Sequence, residues 1–109
     1  MTDTTLTWDK RLARARRARK FTEEDQILAS QWSSCQVGEL RQEGYHIQGR
    51  RSISGGVYFE PDDAVLARLG YAFNGAVAHH HFLKATALAQ QIRRMVEHDC
   101  PRVTTPRTP

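Results

Sequence analysis

PDDAVLARLGYAFNGAVAHHHFLKATALAQQIRRMVEHD, residues 61–99, carries two apolar helical faces separated by a short polar turn. Val65, Leu66, Leu69, Ala72, Phe73, Ala76 and Val77 recur at the three- and four-residue steps that bring side chains to one side of an α-helix. Phe82, Ala85, Leu88, Ala89, Ile92, Met95 and Val96 repeat the pattern, and Asp99-Cys100-Pro101 stops it. Pro61 suits a first helical position, and Asp62 and Asp63 suit the positive end of the helix dipole. The spacing predicts helices over 61–78 and 82–98, turning at His79 to His81 and packed antiparallel across their apolar faces. Gly70 and Gly75 each cost such a helix about 1 kcal/mol against alanine, which points to close approach of another helix or another chain.

Upstream, Trp8, Leu12 and Ala15 form a narrow stripe in a helix over 8–20, with cations around the rest of its circumference. Thr22 reads as an N-cap, with Glu23, Glu24 and Asp25 in the first turn of a second helix over 23–35. Ile27, Leu28, Trp32 and Cys35 share one arc of that helix, whereas Val37 and Leu40 fall opposite, so a break is expected between Cys35 and Gly38. Across 45–59 the helical period gives way to glycines and short β-prone pieces. Ser52-Ile53-Ser54 and Val57-Tyr58-Phe59 around Gly55-Gly56 suggest a short β-hairpin or an ordered loop. The expected fold is therefore mainly α, a small bundle of about four helices, with residues 1–100 as one domain. Residues 101–109, with three prolines and no apolar period, are expected to be a disordered tail.

The 109 residues carry a net charge of +4, unevenly placed: residues 1–20 hold seven cations and two acids, the remainder nine cations and ten acids. The basic character thus belongs to one segment. The first 20 residues lack the apolar run of a secretory signal. Two cysteines 65 positions apart do not resemble a disulfide framework, so a cytoplasmic protein with no membrane partner is expected.

The start Trp8-Asp9-Lys10-Arg11-Leu12-Ala13-Arg14-Ala15, then Phe21-Thr22-Glu23-Glu24-Asp25, Ala29 and Trp32-x-x-Cys35-x-Val37-Gly38-Glu39, followed by a C-terminal helical pair, resembles small proteins of actinobacteria and their bacteriophages. That resemblance implies no activity, cofactor or site residue.

Lys10, Arg11, Arg14, Arg16, Arg17, Arg19 and Lys20 are the candidate binding residues, seven cations in eleven positions that suit an acidic partner or a nucleic-acid backbone. The spacings of His46, His79, His80, His81, His98, Cys35 and Cys100 match no zinc pattern, so no metal is expected. Cys35 shares its arc with Trp32, which favours a structural thiol over a nucleophile. Gly55-Gly56 lacks the Lys-Ser/Thr of a phosphate loop. With no cofactor motif and no catalytic constellation, the expectation is a non-enzymatic regulatory protein that binds a protein partner through helical surfaces. Nucleic-acid binding through the Arg-rich helix is the alternative. A core of about 80 residues is thin, which a homodimer would relieve.

Overall fold

The computed structural model describes residues 6–51 and 59–102. Among them the chain forms α1 (Trp8–Ala18), α2 (Glu23–Ser30), α3 (Trp32–Gln42), β1 (Gly49–Arg51), β2 (Phe59–Pro61), α4 (Ala64–Ala78) and α5 (Phe82–Asp99). The architecture is a helical bundle built on the antiparallel pair α4 and α5. Phe73, Ala76 and Val77 from α4 and Ala85, Ile92 and Val96 from α5 are buried. The Trp8 indole meets Phe73 edge to face at 5.0 Å, so the apolar stripe of α1 closes over this pair with Leu12 and Ala15.

The helix expected over 23–35 is two helices. The break falls at Gln31, whose φ of −111° and ψ of 37° leave the helical region, and α3 runs on through Cys35 to Gly38 without interruption. Trp32, Val37 and Leu40 of the second piece, α3, are all buried. The inward side of α2 is accordingly Asp25 and Ala29, and Ile27, expected in the core, is 54% exposed.

Two other boundaries move for identifiable reasons. The first helix stops at Ala18 rather than residue 20, because Arg19 adopts a left-handed conformation and the Lys20 N–H turns back to the Ala15 carbonyl. Pro61 ends β2 instead of opening α4, and Asp63 is the N-cap, its Oδ1 accepting from the Val65 and Leu66 N–H groups at 2.8 and 3.1 Å.

β1 and β2 pair antiparallel from Gly49↔Pro61 to Arg51↔Phe59. The strand Ser52–Ser54, the turn at Gly55-Gly56 and most of the strand Val57–Phe59 lie outside the described residues, so the pairing seen is a separate one, flanking that stretch. Pro101 and Arg102, expected in the tail, are tied to the residues after α3. The His46 N–H donates to the Pro101 carbonyl at 2.8 Å, Arg102 bridges to Tyr45, and its guanidinium lies 5.3 Å from the centre of the Tyr45 ring. Residues 103–109 lie outside the described residues.

Gly70 answers one sequence question within the chain. A β-carbon there would overlap the Trp32 indole, so the glycine admits the ring against α4. Gly75 has open space where its β-carbon would stand. Gly70→Ala is expected to lower stability by about 1–3 kcal/mol through overpacking, while Gly75→Ala raises it by about 1 kcal/mol through helix propensity. Urea unfolding of both variants checks the opposite signs.

Candidate functional site

The cations of the first helix fall into two groups because one side of that helix is covered. Arg11 is 1% exposed, and its Nη1 donates to Asp25 Oδ1 at 2.9 Å. Glu24 stands 3.7 Å from the same nitrogen. Arg14, its side chain 32% exposed, donates from Nη2 to the same Asp25 oxygen at 3.0 Å. Asp25 is fully buried and also closes the capping box of α2. Its Oδ2 accepts from the Thr22 N–H at 3.2 Å while its own N–H donates to Thr22 Oγ1 at 3.0 Å. Arg11 and Arg14, expected on the binding face, are therefore bound to Asp25. The burial of Arg11 follows from its place beside Trp8, Leu12 and Ala15 on the inward side of α1.

Burial opposes ionisation of Asp25, but donation from Arg11, from the Thr22 backbone and hydroxyl, and the charge of Arg14 outweigh it and hold the carboxyl below its ordinary value.

Lys10, Arg16, Arg17, Arg19 and Lys20 are exposed. Among the described residues no carboxylate lies within ion-pair distance of any of them. Lys10 and Arg17 lie on the side of α1 opposite the stripe. Arg16 overlooks a groove of about 390 Å³ shared with Thr86, Gln90 and Arg93 of α5. Arg19 and Lys20 occupy the left-handed turn that ends the helix. The start of α1 is held too: Glu39 of α3 accepts from the Trp8 N–H at 2.9 Å, and Thr7 Oγ1 from the Lys10 N–H at 3.4 Å.

Three polar contacts had no signal in the sequence. Arg93 forms a two-pronged pair with Glu43, at 2.8 and 2.7 Å, which fastens α5 to the end of α3 and raises the guanidinium further above its ordinary value. Arg93 is thereby committed to Glu43. His80, in a left-handed turn conformation, presents Nδ1 to the Phe21 N–H at 3.1 Å. Gln26 of α2 donates to the Val77 and Ala78 carbonyls at the end of α4. Each joins groups 50 or more positions apart, a separation no local motif encodes.

The remaining reactive side chains do not assemble. Burial, with help from Glu39, pushes the Cys35 thiol up against the opposing charge of Arg11, and burial with Asp99 and Asp63 pushes Cys100 up. Both favour the thiol over the nucleophilic thiolate. Among the described residues no three His, Cys, Asp or Glu side chains converge to hold a metal, and no helix is long and apolar enough to cross a membrane. Comparison with family models, curated proteins and solved structures returned no match.

A carboxyl held below its ordinary value stabilises the fold above that value, about 3.9 for aspartate, and the contribution is lost as pH falls through the lowered one. Asp25→Asn is expected to cost about 3 kcal/mol or more at pH 7, since it removes the buried carboxylate charge to which Arg11 donates. The gap to wild type should narrow below about pH 4, where the carboxyl of the unfolded chain begins to protonate, and go on narrowing as pH falls through the lowered folded value. Urea unfolding across pH 2–7 measures both.

Proposed function

We propose that this chain is a non-enzymatic binding module whose exposed α1 cations dock on the phosphate backbone of a nucleic acid. The observation that carries the reading is the set of five exposed cations, Lys10, Arg16, Arg17, Arg19 and Lys20, on a helix and its closing turn whose inward side is packed in the core. Lys10 and Arg17 are separated by about 10 Å along the helix axis, close to three nucleotide steps of one duplex strand. Holding the cations on an ordered helix lowers the entropy lost when they engage successive phosphates.

A protein partner is the second reading, favoured by a different surface. Protein interfaces draw their energy from buried aromatic and apolar anchors, and the exposed large apolar side chains, Ile27, Val65, Tyr71 and Leu83, lie on α2, α4 and α5. None is on the first helix, whose exposed side carries cations and alanines, with Asp9 as its acid.

Each phosphate contact contributes about −0.9 to the slope of log affinity against log salt on duplex DNA. Replacing Arg16, Arg17 and Arg19 together by glutamine should flatten that slope by about 2.7 while leaving the unfolding midpoint near wild type. Fluorescence anisotropy on a labelled duplex, titrated at several salt concentrations, makes the measurement. Absence of duplex and single-strand binding at low salt, or an unchanged slope in the triple variant, contradicts the reading.

A further inference from the structure

A cavity of about 370 Å³ opens where the start of α4 meets the end of α5, at the opposite end of α4 from the His79–His81 turn. Ile47, Leu66, Met95 and Val96 give it an apolar floor, and Asp62, Asp63 and Asp99 stand around it. We propose that it binds a small organic ammonium ion, with the apolar body on that floor and the charge toward the three carboxylates.

The volume lies in the range of small-molecule sites, and an apolar floor with a few convergent polar groups is their usual construction. The sign of the ligand follows from the walls. Among the described residues neither Lys nor Arg lines the cavity, whose remaining polar lining is His46 and Gln48, although the chain as a whole is cationic. Two helix ends of opposite polarity meet there, and they are not equally compensated. The positive end of α4 is already answered by Asp63, whose Oδ1 accepts from Val65 and Leu66, leaving its second oxygen. The negative end of α5 has only His98 as a basic residue in its last turn, and that ring contacts Asp99 at 2.8 Å. The field left over is negative. Cys100 in the cavity wall senses it, since after burial the charges of Asp99 and Asp63 are what push its thiol up. An anion entering here would meet three carboxylates.

The test uses the whole chain with phenethylammonium chloride and, as a control of similar size and opposite charge, sodium 3-phenylpropanoate. Methyl shifts of Ile47, Leu66, Met95 and Val96 in two-dimensional proton–carbon spectra report occupancy. The ammonium ion should give saturable shifts at these methyls, and the carboxylate should bind about tenfold more weakly or not at all, as expected for reversal of one charge near several others. Asp62→Asn combined with Asp99→Asn, both exposed and neither a helix cap, should weaken the ammonium by about fivefold or more with an unchanged Tm. Protection of Cys100 from iodoacetamide by the ammonium and not the carboxylate gives the same answer by peptide mass. No saturable shift, equal binding of both probes, or an affinity unchanged in the double variant overturns the proposal. The comparison of probes on the wild-type chain holds even where a variant fails to fold.

Discussion

Two arginines from one helix share a single buried carboxylate from the next, and the placement of the N-terminal third of the chain depends on it. Asp25 is fully buried with Arg11 almost equally so. A charge taken this far from water costs several kcal/mol unless it is paired and hydrogen-bonded. The arrangement offsets that cost with Arg11, Arg14 and the Thr22 N–H all donating to one carboxylate. The same carboxylate closes the capping box that starts α2, so the beginning of one helix and the inward side of another are specified together. The narrow stripe of Trp8, Leu12 and Ala15 supplies the apolar part of the contact, and Glu39 fixes its first turn from α3.

This pairing divides a run of cations that looks uniform in sequence. Arg11 and Arg14 are held by Asp25, and the five cations left outside are displayed on a helix whose orientation the pair helps to set. The basic surface is thereby the outer side of a packed helix. At the far end of the bundle the balance reverses, and an apolar cavity ringed by Asp62, Asp63 and Asp99 carries the opposite potential.

The pair α4 and α5 was legible because its apolar residues keep the helical period across long stretches, and Thr22 was legible as a cap because capping is local. The division of the N-terminal cations was not. A helix wheel ranks arginine as solvent-facing, and the carboxylate that meets Arg11 on the inward side of α1 comes from fourteen positions away. The same event displaced Ile27, since the side of α2 that carries Asp25 cannot also turn Ile27 inward. The break at Gln31 carries no glycine or proline to mark it. Trp32, the first residue after it, packs against Gly70, 38 positions away in sequence. Gly70 itself was read correctly as a point of close approach, and the partner proved to be in the same chain.

A double-mutant cycle on Arg11 and Asp25 tests the central claim most directly, with Arg11→Met, Asp25→Leu and the pair compared by urea unfolding at pH 7. Asp25→Leu removes the carboxylate that buried Arg11 donates to and should lose about 3–5 kcal/mol, Arg11→Met leaves Asp25 paired with Arg14 and should lose less, and the double variant, which removes both buried charges, should lose less than the two single losses summed. Losses that simply add, or single variants within about 0.5 kcal/mol of wild type as for ordinary surface positions, would contradict the account.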